Sequence, residues 1–242
     1  MRLVLGFDFE TTGLVAETDR IIEVGAVLWD WDRGAPVEIF SRFCWHEDNG
    51  LEPEIPPFIT KLTGIDGAIL KQFSISTESA LKLFISMSYA EGAVAMAHNA
   101  PFDVGFLNAE RERLGIDRGL GCPVIDSRVD LPLDNDLHGS KKLVHLAASH
   151  GFLNPFAHRA IFDVLTMLKV ASNYDLDEII ARSKSPLLEL TAHVSFAQKD
   201  LAKKAGFQWN PDQKLWKMRL KECDVQAPVD TDWGFDVSVA RV

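Results

Sequence analysis

Positive charge is scarce in this chain. Across 242 residues, 25 Lys and Arg stand against 35 Asp and Glu, for a net charge of −10. A protein that wraps duplex DNA neutralises phosphates with clustered cations, so this balance argues against a broad electrostatic grip. Cysteine is also sparse. Cys44, Cys122 and Cys223 are odd in number and far apart, which gives neither a disulfide framework nor a zinc pattern, and the first two are expected to be buried thiols. No apolar run approaches the length needed to span a bilayer. A secretory pattern is missing at the N-terminus, so a cytoplasmic protein with no membrane partner is expected. Internal repeats and low-complexity tracts are absent as well.

The cations that exist are unevenly placed. Residues 1–183 carry a balance of −11, residues 184–222 one of +4, and residues 223–242 one of −3. Three parts follow: an acidic body over 1–183, a small basic segment over 184–222, and an acidic tail over 223–242. The polar break Ser183-Lys184-Ser185-Pro186 marks the first boundary.

Within the body, strand-like runs fall at about 3–10, 21–30 and 36–45, joined by short polar connections that suit an antiparallel meander. Residues 46–76 read as irregular. A helix over 77–89, a buried strand over 93–97, a helix from Asn99 to about Leu114 and a strand over 123–127 come next. Helices over 141–149 and 157–174 complete a mixed α/β architecture.

Three short segments carry chemistry. In the first, Asp8 and Glu10 interrupt an apolar strand, Leu3 to Glu10. Residues two apart on a strand share a face, so two carboxylates stand side by side, which is costly without a compensating cation. A half-buried strand facing solvent is the plain alternative. The second segment is His98-Asn99-Ala100-Pro101-Phe102-Asp103, where Asp103 falls in the first turn of a helix, a position that favours any acid. The third runs from His158 to Asp163. A five-residue offset on a continuous helix separates two side chains by about 140°, so these two converge only if His158 precedes the helix that Asp163 begins.

Taken in order, the three segments resemble the motifs of the DEDDh 3′–5′ exonuclease superfamily. The match covers roughly residues 1–175: Phe7 to Gly13, His98 to Asp103, and the H-x-x-x-x-D of His158 to Asp163. The resemblance implies a ribonuclease H-like fold, with a five-stranded mixed sheet flanked by helices and Asp8 and Glu10 on its central strand. It implies two Mg²⁺ or Mn²⁺ ions, the first held by Asp8, Glu10 and Asp163, the second by Asp8 with help from Asp103. It makes His158 the general base. Thr11, Thr12, His98 and Asn99 become contacts for the terminal nucleotide. Leu14 would lie against the terminal bases, and Phe102 and Phe106 would border the pocket, although plain packing accounts for these apolar residues equally well.

The activity implied is release of nucleoside 5′-monophosphates from single-stranded 3′ ends, DNA favoured. An RNA trimmer is the alternative, and a non-catalytic binding or polymerase-associated scaffold is the rival from another class. The resemblance leaves homodimerisation and polymerase association open. The basic segment reads as a β-α-β-β module in which Lys203, Lys204, Lys214, Trp209 and Trp216 interleave charge with stacking surface, as a nucleic-acid grip would. The competing reading makes both tryptophans core.

Overall fold

The computed structural model describes residues 1–45, 54–133, 140–224 and 233–241. The chain divides into two compact units, 1–176 and 177–242. The division falls somewhat before the Ser183–Pro186 break.

In the first unit, β1 (Leu3–Thr11), β2 (Ile21–Asp30) and β3 (Ala35–Trp45) form the expected antiparallel meander. On the other side of β1, β5 (Val94–Ala97) and β6 (Val124–Asp126) run parallel to it. A two-residue strand, β4 (Ile75–Ser76), adds to the far edge alongside β3, so the mixed sheet has six strands in the order β4-β3-β2-β1-β5-β6. It is one strand more than the sequence suggested, because two residues are too few to leave a pattern.

Helices cover both faces of the sheet. Phe7 and Phe9 of β1 pack with Leu81, Phe84 and Ile85 of α3 (Thr77–Met87) and with Phe106 and Leu107 of α4 (Ala100–Leu114). The alternate residues of β1 point the other way, toward α7 (Ala160–Ala171). There the strands come unusually close to the helix. A Cβ on Gly6 would lie 2.7–2.9 Å from the side chains of Leu168 and Val164, and one on Gly25 would lie 2.6 Å from the backbone of Ala160 and Ile161. Glycine at these two positions lets α7 settle onto β1 and β2, and Asp8 and Glu10 share this face.

Between β3 and β4, the stretch read as irregular holds two short helices, α1 (Pro57–Thr63) and α2 (Gly67–Phe73), separated by Gly64 in the left-handed region. Two further short helices, α5 (Ser127–Asp130) and α6 (Leu143–Ser149), follow β6. The helix expected from residue 157 begins at Ala160, because His158 takes a positive φ of 64° that no helix accommodates. Among the described residues no helix is long and apolar enough to cross a membrane. The three cysteines are free. Cys44 is buried as expected, but Cys122 is only partly buried and Cys223 is exposed.

A helix at the division, α8 (Leu176–Ser183), leads into the second unit. Its four-stranded antiparallel sheet is built from β7 (Leu187–His193), β8 (Gln208–Asn210), β9 (Leu215–Lys221) and β10 (Asp236–Arg241), in the order β10-β7-β9-β8. A 3₁₀ turn and α9 (Lys199–Lys204) connect β7 to β8. The segment 223–242, read from its charge as a tail, supplies β10, which pairs with β7 from Asp236↔His193 to Arg241↔Leu188. Its alternating Val237 and Val239 are the local signal for that strand.

Candidate active site

At the C-terminal end of β1, the strand carries Asp8 and Glu10 toward the first turn of α7, where Asp163 meets them. One carboxylate oxygen from each of Asp8, Glu10 and Asp163 falls within 4.8 Å of the others. Asp103, fully buried in the first turn of α4, accepts the Phe9 amide N–H at 3.1 Å through Oδ1 and so adjoins the same strand. Four acids from three separated segments are thus drawn around one end of β1.

Their proton affinities report the crowding. Burial first, then the charges of Asp103, Glu10, Asp163 and Glu23, push Asp8 well above the ordinary carboxylate range. Glu10 is pushed up to about 8, by burial and then by Asp163, Glu23 and Asp103, with Arg159 opposing. Burial raises Asp103 despite the Phe9 N–H, and it raises Asp163 despite hydrogen bonds from His158 N–H and Asn154 and the nearby His158 charge. Carboxylates held in this state bind a hard cation by releasing protons, and an all-oxygen donor set is the one Mg²⁺ or Mn²⁺ selects. The residues present fit such ions.

His158 lies in the lead-in to α7, exposed, with its backbone N–H donating to Asp163 Oδ2 at 2.9 Å. Its left-handed backbone turns the chain sharply just before the helix. The lead-in is anchored from β2. Glu23 is 1% exposed and stands opposite Glu10 in the ladder. It accepts two hydrogen bonds from Arg159, from Nε at 3.1 Å and Nη2 at 3.0 Å, and a third from the Ala160 N–H at 3.1 Å. A carboxylate there also favours the positive end of α7. On the other side, Asn154 Nδ2 donates to Asp163 Oδ1 at 2.6 Å. Sequence reasoning missed Glu23, Arg159 and Asn154. The one available signal was a third acid, Glu23, inside the apolar run of β2.

The remaining candidates divide by how their polar atoms are used. Thr11 Oγ1 donates to the Gly13 carbonyl, while Thr12 Oγ1 accepts the Arg20 N–H and donates to Asp19. Both hydroxyls therefore shape the β1–β2 turn. That turn displays Leu14, 81% exposed, a few residues beyond Glu10. Asn99 adopts a left-handed backbone at the start of α4 without capping it, and its N–H donates to Asp126. His98 has both ring nitrogens occupied: Nε2 donates to the Lys141 carbonyl and Nδ1 accepts from Ser127, which is the neutral tautomer. Burial lowers its pKa accordingly. Phe106 is core, and Phe102 packs against it with ring centroids 4.8 Å apart. Lys203, Lys204, Trp209, Lys214 and Trp216 all belong to the second unit.

Comparison with known proteins matches the exonuclease family (RNase_T) to residues 5–171 and a domain family of unknown function to residues 188–229. The PolC-type DNA polymerase III of Caldanaerobacter subterraneus subsp. tengcongensis is 41% identical over 112 residues, which is 46% of this chain and 7% of that protein. The DNA polymerase III epsilon subunit of Treponema pallidum is 42% identical over 106 residues, 43% of this chain and 44% of that one. The chain therefore spans less than half the length of these curated relatives. Among solved structures, the zinc-bound complex of E. coli exonuclease I with single-stranded DNA aligns over 100% of this chain and 63% of its own, with a TM-score of 0.65 at 15% identity. The nuclease domain of 3′hExo, a DEDDh family member bound to rAMP, aligns over 71% of this chain and 90% of its own, with a TM-score of 0.59 at 17% identity. At such identities these two establish the shared fold.

Proposed function

We propose that the chain, which belongs to the exonuclease family, is a DEDDh enzyme that removes nucleoside 5′-monophosphates one at a time from the 3′ ends of single-stranded DNA. The observation that carries this reading is the convergence of Asp8, Glu10 and Asp163 within 4.8 Å, with buried Asp103 alongside. Two divalent cations, Mg²⁺ or Mn²⁺, would be held by these four carboxylates and would stabilise charge on the attacking and leaving oxygens of the scissile phosphate. His158 takes the proton of the attacking water, its exposed position just ahead of α7 leaving the imidazole open to solvent. Glu23 and Arg159 hold the lead-in that carries it. Exposed Leu14 offers apolar surface to the terminal base, and an acidic body suits a site that takes a few terminal nucleotides rather than a long duplex.

DNA is favoured because the relatives quoted above are parts of DNA polymerase III, which also raises association with a polymerase as a role for this chain. A ribonuclease reading draws on the neighbour bound to rAMP. Matched 5′-labelled DNA and RNA strands, digested with Mg²⁺ and with EDTA, separate these readings. The expected result is a ladder shortening from the 3′ end and free mononucleotide from DNA, abolished by EDTA. Internal cleavage, or full activity in verified metal-free protein, would overturn the proposal, and inertness toward both strands with metal present would favour the scaffold.

A further inference from the structure

The second unit distributes its charge and aromatic surface between the two faces of one sheet. On one face Leu188, Leu190, Ala192 and Phe207 form a core with Ala202 of α9, and Trp216, Met218, Trp233 and Phe235 pack against it. Phe207 meets Trp233 and Phe235 edge-on at 5.6 and 5.7 Å. The registers Val237↔Ala192, Ala192↔Trp216 and Trp216↔Trp209 set these four residues in one row across the sheet. Trp209 ends the row on the edge strand β8, where it remains 50% exposed, its ring 5.7 Å from that of Trp216. Trp216 packs against the core, whereas Trp209 lies outside it, one side on Trp216 and the rest open to solvent.

A single exposed aromatic is ordinary. The charges give it company. On the opposite face of β9, Lys217 and Arg219 are both bound by Glu189 of β7. Lys203, Lys204 and Lys214, by contrast, are exposed and make no ion pair among the described residues. Two of them rise from α9, which packs through Ala202 on the tryptophan face. Lys214 sits in the β8–β9 turn beside that row with a left-handed φ of 54°. Lys199 Nζ lies 4.1 Å above the ring of Phe196, itself 83% exposed. Asp200 and Asp212 are the acids interspersed here, and the segment 184–222 keeps a balance of +4.

We propose that this unit is a single-strand nucleic-acid-binding module, with Trp209 stacking on a base and Lys203, Lys204 and Lys214 pairing with the flanking phosphates. An open indole face takes any base, and unpaired ammonium groups on the same side match a phosphate backbone, whereas the paired face offers no spare charge. The inference goes beyond the exonuclease reading and is tested without cleavage, so either can fail while the other stands.

The test measures fluorescence anisotropy of the full chain in EDTA with labelled oligothymidylate and oligouridylate of about 16 nucleotides, and with dinucleotides, over a range of salt. Trp209→Ala is expected to weaken long-strand binding roughly five- to hundredfold and to lower the ratio of long- to short-strand affinity, with Trp209→Phe recovering most of the loss. Replacing Lys203, Lys204 and Lys214 by Ser should flatten the salt dependence by about two in slope. Equal effects on both oligonucleotides assign binding to stacking and phosphates alone, and an effect on one assigns the sugar once oligodeoxyuridylate, which lacks the thymine methyl, gives the oligothymidylate result. If both variants melt like the wild type and bind long strands with unchanged affinity and slope, the proposal is overturned, and a protein partner becomes the occupant of this face.

Discussion

The two ends of the β1–β2 ladder carry the same residue type in opposite states. At one end Asp30 and Asp32 are met by arginines. Asp30 binds the Arg33 guanidinium at 2.5 Å and Asp32 that of Arg2 at 2.8 Å, and both carboxyls are held below their ordinary range by those contacts. At the other end Asp8, Glu10 and Asp163 crowd together. The nearby guanidinium of Arg159 is spent on Glu23, and the cluster's carboxyls rise. An acid that serves the fold comes with its cation in the sequence. An acid cluster raised by burial and mutual repulsion lacks one, and either protons or a cation from outside the chain can relieve it. This contrast separates the structural acids of the molecule from the chemical ones.

The largest test of the contrast exchanges one acid at each end. Asp8→Asn should abolish cleavage by several orders of magnitude while the protein stays folded, since it relieves repulsion as it removes a ligand. Asp30→Asn should lower the melting temperature and leave cleavage intact. Next, His158→Ala should slow cleavage about 10²–10⁴-fold with little change in KM, as loss of a general base does. Glu23→Gln comes third. It loosens the Arg159 and Ala160 anchor and should cost about 10–100-fold in metal affinity or turnover, with wild-type secondary structure. Gly25→Ala pushes on the same joint from the strand side and should destabilise by about 1–3 kcal/mol while also lowering activity, because the added methyl meets the α7 backbone.

The last effect is on stability against pH. Glu10 has a folded pKa of about 8 against an ordinary 4.5, so the folded, metal-free protein keeps a proton that the unfolded chain releases. By linkage its contribution is greatest at low pH and is lost as pH rises through that window. His98, lowered by burial, works in the opposite sense around its own ordinary value, so the informative quantity is the wild-type melting curve minus that of Glu10→Gln. That difference should fall from about pH 4.5 to pH 8, and saturating Mg²⁺ should reverse it. A flat difference would return Glu10 to the class of Asp30.

What could be read from the sequence follows the same division between local and distant causes. Strands β1, β2, β3, β5 and β6 announced themselves by period and composition, and Asp8 and Glu10 by their misplacement in an apolar strand, whereas Asp103 and Asp163, ordinary acids in a first turn, stood out only through the resemblance of their segments to the exonuclease motifs. Helices α1 and α2 are seven residues each, too short for a helical period to accumulate. Partners 136 residues apart, Glu23 and Arg159, leave no local trace of their pairing, only the acid itself inside the apolar run of β2. In the second unit both tryptophans looked alike in the sequence. Trp216 is the more covered of the two because it lies on the inner strand β9 beside Ala192, whereas Trp209 lies on the edge strand β8, and that strand order is set by pairings the local sequence does not show.

The central claim is that the raised carboxylates are an unfilled demand for divalent cation, and calorimetric titration of Mn²⁺ into metal-free protein near pH 7 tests it most directly. With Glu10 pushed up to about 8 it keeps a proton there, so binding is expected to expel protons and the measured heat to vary with the ionisation enthalpy of the buffer. The account predicts saturable binding with net proton release that shrinks as pH is raised above 8 and disappears in Asp8→Asn. Mn²⁺ binding that releases no protons, or that persists unchanged in Asp8→Asn, would contradict it.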